Sequence, residues 1–230
     1  MLSIGIIVLL SYLVGSIPGS LWASKGIYGI DIREYGSGNA GATNAFRVVG
    51  WQAGVVATII DMGKGAFSAG VLAQYVRLDA IPAVGLASWE TGTVLGLIAG
   101  LAAVAGHMFP VFANFDGGKG VNTAAGILLA LTPISTLLTI AVFAVVLLSS
   151  RFVSLASITA SVAFPTIVAI RRYVFGAAED PSLILFGAVL ALAIVVAHQS
   201  NIKRLARGTE NQVSSFRPAE GMRGRGEIET

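Results

Sequence analysis

The 230-residue chain contains no cysteine, which excludes disulfides, thiolate metal sites and a covalent thioester intermediate. Charge is scarce as well. Charged residues make up 12% of the chain and hydrophobic residues 55%, the former about half the share expected of a soluble domain. A soluble protein this apolar would lack the polar surface needed to cover itself, and the mean hydropathy of +0.80 agrees with a bilayer as the solvent. A pI of 9.4 suggests nucleic acid at first sight. The formal charge is only +3, however, and the basic residues fall near the ends of apolar runs, where membrane proteins place them. No nucleic-acid partner is expected. The first apolar run, 4–22, has no Lys or Arg before Lys25 and no convincing small-residue cleavage site, so it reads as a mature first span and not a signal peptide.

What is present is a series of long apolar runs. A helix needs about 20 predominantly apolar residues to cross about 30 Å of hydrocarbon. Runs at 3–24, 52–76, 91–113, 120–132, 133–149, 153–172 and 182–199 qualify, the fourth being short for a full crossing. Pro133 either splits 120–149 into two helices or kinks one long helix. Charge placement arbitrates. With about seven spans and a cytoplasmic C-terminus, eleven Lys and Arg residues share the cytoplasmic side, only Arg77, Arg171 and Arg172 lie outside, and Lys64 is within a span. Six spans would put Lys119 and Arg151 on opposite sides. The expectation is therefore an all-α integral membrane protein, a polytopic bundle of about seven transmembrane helices with the N-terminus outside. Residues 1–212 form a single transmembrane domain and 213–230 a disordered cytoplasmic tail. Gly92, Gly96 and Gly100 fall at the spacing that lets helix backbones pack closely in lipid.

Four loop segments carry polar chemistry. The first is Gly36-Ser37-Gly38-Asn39-Ala40-Gly41-Ala42-Thr43-Asn44, followed by Arg47. Its formal G-x-G-x-x-G lacks the strand and βαβ context of a dinucleotide fingerprint, although Asp61 lies at about the right distance. Glycine-rich backbone N–H groups still cradle anions, and arginine makes bidentate phosphate contacts. The competing view is a plain polar turn. The second segment holds His107 and then Gly117-Gly118-Lys119-Gly120. It fails as a Walker A loop, since Ala113 stands where a Gly is needed and Gly120 where Ser or Thr is needed. A Gly-rich turn entering a helix N-terminus nevertheless suits an oxyanion; His107 reads as a packing residue. The third, Arg151 to Ser157, reads alone as a positive anchor with a helix start capped by Ser154. In the fourth, His198 and Asn201 share a helix face at i and i+3 ahead of Lys203 and Arg204. Asp61 and Lys64 lie inside the second run, where ionisable groups are costly; a structural ion pair is the favoured account.

Taken in order, GSGNAGATNAFRVVG at 36–50, DMGKG at 61–65, GHMFPVFANFDGGKGV at 106–121, RFVSLAS at 151–157 and HQSNIKRLARGTEN at 198–211 resemble the bacterial acyl-phosphate:glycerol-3-phosphate acyltransferases, the PlsY family. The resemblance runs from the first span to about Asn211. It implies transfer of a fatty acyl group from acyl phosphate to the sn-1 hydroxyl of glycerol 3-phosphate, giving lysophosphatidic acid and inorganic phosphate, as the first acylation of phospholipid synthesis in the bacterial inner membrane. It further implies a seven-span fold with a cytosol-facing site. Ser37, Arg47 and Lys119 would bind the phosphate-bearing substrates. Asn39, Thr43, Asn44, Gly117 and Gly118 would shape the pocket, Ser154 would help hold substrate, and His198 with Asn201 would lie at the reacting centre. Asp116 stands where that family often has a basic residue, Gln199 where it often has arginine, and Asn122 where a small residue is usual. Lost positive charge is expected to weaken the anion field.

Acyl phosphate is a mixed anhydride with a good leaving group, so the protein chiefly has to align the acceptor hydroxyl and neutralise phosphate charge. No H-x-x-x-x-D motif is present, since Phe112 follows His107 and Lys203 follows His198 at that spacing, and no Ser–His–acid set appears. Direct attack is expected, with the proton passing to the donor phosphate or to His198. No metal or other cofactor is called for by any residue, and a monomer is expected. The alternative is a transporter of a phosphate-bearing solute, which would use the same loops without chemistry; the paired repeats common in transporters are not apparent.

Overall fold

The computed structural model describes residues 1–76, 78–80, 83 and 88–213. Arg77 and nearly all of the tail at 213–230 lie outside the described residues. The described chain is helical throughout. Helix α1 (Leu2–Gly15) breaks at Ser16–Pro18 and resumes as α2 (Gly19–Tyr28). After a loop comes the short α3 (Ala42–Val48), then α4 (Trp51–Phe67), which passes through a π-helical turn (Ser68–Leu72) into α5 (Ala73–Tyr75). Helices α6 (Thr91–Met108), α7 (Val121–Leu131), α8 (Pro133–Ser150), α9 (Val153–Tyr173) and α10 (Ser182–Ala197) follow, and α11 (Gln199–Ala206) closes the described fold.

Among the described residues, five segments are long and apolar enough to cross a membrane: Leu2–Tyr28, Trp51–Tyr75, Thr91–Ala113, Pro133–Ser150 and Val153–Tyr173. The pair α10 and α11, bent by 61°, makes a sixth if taken as one span. The chain is thus an all-α polytopic membrane protein with five or six long apolar helices. The expected span left over is the fourth, at 120–132, which is α7. Its 11 residues rise only about 16 Å, roughly half of the hydrocarbon thickness. The chain does divide where Pro133 predicts: Thr132 ends α7 and Pro133 occupies the first turn of α8, where its missing N–H is no loss.

Without a hydrophobic force between helices in lipid, tight packing depends on small residues that let backbones touch. Helices α4 and α7 meet in this way, since a Cβ on Gly65 would overlap the Thr123 carbonyl oxygen and one on Gly126 would overlap that of Met62. The small series on α6 is also a packing face, with Gly96 against Leu131 and Gly100 against Ile127. These contacts bring the N-terminal half of α7 beside the C-terminal part of α4. Gly126→Ala should therefore push α7 off α4 and destabilise the protein by about 1–3 kcal/mol, as overpacking does; a lower thermal midpoint of the detergent-purified variant checks this.

Candidate functional site

The Gly-rich loop is held by a single buried side chain. Asn44, at the start of α3, donates through Nδ2 to the carbonyls of Ile32 (2.9 Å) and Tyr35 (3.0 Å) and accepts at Oδ1 from the Ser37 amide (3.0 Å). Its amide is spent on shaping the loop. Ahead of it, Arg33 pairs with Asp31 (2.7 Å) and donates to the Ala113 carbonyl (3.1 Å), which fastens this loop to the short turn Val111–Ala113 that follows α6. The Arg33 hydrogen bond holds the Asp31 carboxyl down at about 2 against the opposing effect of burial.

The loop faces a polar cavity of about 310 Å³. Ser37, Asn39, Thr43, Asn44, Arg47, Lys119, Ser154, His198 and Asn201 all line it, so the four segments converge on one space. Gly117 and Gly118 do not line it. They pack behind, where the Gly118 amide donates to the His107 carbonyl (3.1 Å) and a Cβ on Gly118 would overlap the His107 ring. Asp116 and Gln199 are also absent from the lining, and exposed Asp116 lies 3.6 Å from Arg33, so neither sits where it would oppose a bound anion. Asn122 is in the wall.

Pattern alone does not single out the residue that organises the cavity. Glu210, beyond α11, accepts from Ser154 Oγ (2.9 Å) and Asn201 Nδ2 (2.6 Å) on one oxygen and from Arg204 Nε (2.7 Å) on the other. Burial works to raise the Glu210 carboxyl, but the hydrogen bonds from Asn201, Arg204 and Ser154 outweigh it and hold the group below the usual glutamate range. Only its place in the stretch ending GTEN hints at a role. Ser154 is consequently no helix cap: Phe152 occupies the N-cap of α9 and the Ser154 hydroxyl is turned to Glu210. Asn201 in turn accepts from Lys119 Nζ, which links the second loop to the fourth. Burial pushes the Lys119 ammonium below its ordinary value, and the positive charges of Arg204 and Arg47 push the same way against the pull of Glu210.

His198 is buried at the break between α10 and α11. Its Nδ1 lies 2.8 Å from the Ile194 carbonyl. A carbonyl only accepts, so Nδ1 carries the hydrogen and the lone pair of the neutral ring is on Nε2. The cavity thus combines a fixed imidazole with the cations Arg47, Lys119 and Arg204, and the Arg47 side chain makes no hydrogen bond or ion pair among the described residues. Such a cluster suits phosphate groups, and the charge of Glu210 is already engaged by Arg204.

Asp61 and His107 form a further part of the wall, and with Lys64 they make a buried ionic cluster. Lys64 Nζ donates to the Ile17 carbonyl (2.9 Å), lies 2.8 Å from His107 Nδ1 and forms an ion pair with Asp61 Oδ1 at 2.8 Å. The expected ion pair is present. His107 is more than packing, because an ammonium only donates and its contact fixes the ring hydrogen on Nε2, over Gly118.

A second cavity, of about 320 Å³ and apolar, joins the first through Val121, Asn122, Phe143 and Ser157, which line both. A charged chamber opening onto an apolar groove can hold a molecule with a phosphate at one end and a hydrocarbon tail at the other.

The family model described as glycerol-3-phosphate acyltransferase matches residues 5–208. A glycerol-3-phosphate acyltransferase of Salinibacter ruber is 63% identical over 229 residues, covering 99% of this chain and 100% of the relative. Another, of Chlorobaculum tepidum, is 47% identical and covers 93% of this chain and 98% of its own. Among solved structures, the glycerol 3-phosphate form of PlsY (YgiH), an integral membrane glycerol 3-phosphate acyltransferase, is similar with a TM-score of 0.74 at 33% identity, covering 92% of this chain and 96% of that one. The lysophosphatidic acid form gives a TM-score of 0.73 over 91% and 95%.

Two outcomes are expected of the charge network. Lys64→Met leaves Asp61 buried and unpaired and should cost about 3–5 kcal/mol, whereas Asp61→Asn combined with Lys64→Met should cost much less than the two changes summed; a double-mutant cycle on unfolding in detergent measures the difference. The depressed Asp31 carboxyl stabilises the fold above its unfolded value of about 3.9 and loses that contribution as pH falls through about 2. The gap in thermal midpoint between the wild type and Asp31→Asn should therefore be full at pH 6 and shrink in that acid window.

Proposed function

The chain belongs to the glycerol-3-phosphate acyltransferase family and is an acyltransferase, and we propose that it moves a fatty acyl group from acyl phosphate to the sn-1 hydroxyl of glycerol 3-phosphate, releasing lysophosphatidic acid and inorganic phosphate. One observation carries this reading: the cationic chamber and the apolar groove share four wall residues, so a polar acceptor and a lipid-tailed donor can meet there. A transporter of phosphate-bearing solutes has no need for that junction.

The glycerol 3-phosphate oxygen attacks the acyl carbonyl carbon directly, the bond from that carbon to the phosphate oxygen breaks, and the hydroxyl proton leaves with the phosphate. Arg47, Lys119 and Ser37 neutralise and hold the phosphates. Positioning of this kind accounts for most of the catalysis that a good leaving group requires. His198 Nε2, with its lone pair fixed by the Ile194 contact, orients the attacking hydroxyl, and Asn201 is kept in place between Lys119 and Glu210. Gly117 and Gly118 act from behind, by setting the position of Lys119.

We further take residues 1–212 as one transmembrane domain that works as a monomer in the bacterial inner membrane. Counting the short α7 as a crossing partner gives seven segments, with the N-terminus outside and the site on the cytosolic face. The positive charges of Lys25, Arg33, Arg47, Lys119, Arg151, Lys203 and Arg204 favour that orientation.

Detergent-purified protein given only acyl phosphate and glycerol 3-phosphate should release inorganic phosphate in step with lysophosphatidic acid; absence of release would overturn the enzymatic reading. His198→Ala and His198→Phe should each lower turnover by about a hundredfold or more, with glycerol 3-phosphate binding less affected, as steady-state kinetics would show.

A further inference from the structure

Among the described residues, two carboxylates line the polar cavity, and they are used differently. Glu210 is engaged on both oxygens, by Ser154 and Asn201 on Oε1 and by Arg204 on Oε2. Asp61 is not. Its contacts with Lys64 Nζ (2.8 Å) and His107 Nδ1 (3.4 Å) both fall on Oδ1, and Oδ2 has no partner among the described residues. The Asp61 side chain is only 2% exposed, and a charged acceptor kept from bulk water calls for a donor. Beside it His107, with Nδ1 taken up by Lys64, carries its hydrogen on Nε2, and that N–H has no acceptor among the described residues. This part of the wall therefore offers one acceptor and one donor. An alcohol, which donates through its hydrogen and accepts at its oxygen, matches both.

Charge sorts the parts of the acceptor. An ionised carboxylate only accepts hydrogen bonds and repels phosphate, whereas Arg47, Lys119 and Arg204 in the same wall attract it. Glycerol 3-phosphate has three polar parts. Its phosphate belongs with the cations, and its sn-1 hydroxyl has to face the acyl donor beside His198. From this elimination we infer that Asp61 and His107 bind the sn-2 hydroxyl, which donates to Asp61 Oδ2 and accepts from His107 Nε2–H. The contact makes the enzyme specific for an alcohol at the central carbon and decides which end of the acceptor enters first. Lys64 is the positioning residue, since it holds Oδ1 and leaves Oδ2 for the substrate. This inference rests on the acyl-transfer function proposed above, and deepens it by naming what reads the non-reacting hydroxyl.

The test gives the full-length, detergent-purified protein one acyl phosphate and three acceptors, and follows phosphate release. The acceptors are glycerol 3-phosphate, 3-hydroxypropyl phosphate, which has no oxygen at the central carbon, and dihydroxyacetone phosphate, whose central carbonyl only accepts. Wild-type kcat/KM should be lower by about a hundredfold for each analogue than for glycerol 3-phosphate. In Asp61→Asn, Lys64 keeps the amide oxygen and turns Nδ2 to the cavity, where it can donate to a carbonyl. The gap between glycerol 3-phosphate and dihydroxyacetone phosphate should then narrow by about tenfold or more, while kcat/KM for 3-hydroxypropyl phosphate stays within about threefold of wild type. If that variant does not fold, Asp61→Leu with Lys64→Met removes the carboxylate without leaving a buried ammonium unpaired. There the gap between glycerol 3-phosphate and 3-hydroxypropyl phosphate should shrink to about fivefold. A fall by one common factor for all three acceptors, as a purely structural role or a proton-abstracting Asp61 would give, overturns the inference. So does a wild-type enzyme that uses 3-hydroxypropyl phosphate as well as glycerol 3-phosphate, whatever the variants do. Release of no phosphate by the wild type with glycerol 3-phosphate would instead remove the acyltransferase function itself.

Discussion

Everything at the site leans on a lysine placed where lipid would forbid one. Lys64 is buried inside a membrane-spanning helix, and its charge is tolerable only because Asp61, His107 and the Ile17 carbonyl surround it. Those three partners belong to α4, to α6 and to the break between α1 and α2. The Ile17 carbonyl sits in the break between α1 and α2, outside a continuous helical ladder, where it also accepts from the Gly19 amide (3.1 Å). One ammonium thus joins the first three long segments at the depth where the polar cavity begins.

The consequences run outward from that point. His107 cannot turn without losing Lys64, and Gly118 lies against its ring with no side chain between them. Lys119 is therefore delivered to the cavity from a rigid base, and meets Asn201 across it. Glu210 performs the corresponding task on the other side by collecting Ser154, Asn201 and Arg204 on one carboxylate. Such a network costs little reorganisation when substrate arrives, because its donors already stand where phosphate charge has to be met.

The same bundle solves a solubility problem. Glycerol 3-phosphate belongs to water and an acyl tail belongs to lipid, and neither phase accepts both. Short α7 lets the two phases meet. Its N-terminal end, capped by Gly120 in the left-handed region (φ 78°), lines the polar chamber, while its next two turns line the apolar groove.

The sequence by itself determined the solvent, the helix class and the order of the motif loops. A bilayer forces backbone polar groups into helices, so apolar runs mark their own positions, and the expected boundaries fall within a few residues of those observed at nearly every span. The convergence of Ser37, Arg47, Lys119, Ser154 and His198 was legible as well, because loops on one side of a membrane have few places to go. Tertiary structure decided what local pattern does not encode. Glu210 looks like an ordinary polar residue in the chain, Ser154 like a helix cap and His107 like filler, since hydrogen-bond partners more than forty residues away carry no local signal. The crossing count is of the same kind: hydropathy sees that 120–132 is apolar, but whether so short a helix spans depends on how its neighbours pack around it.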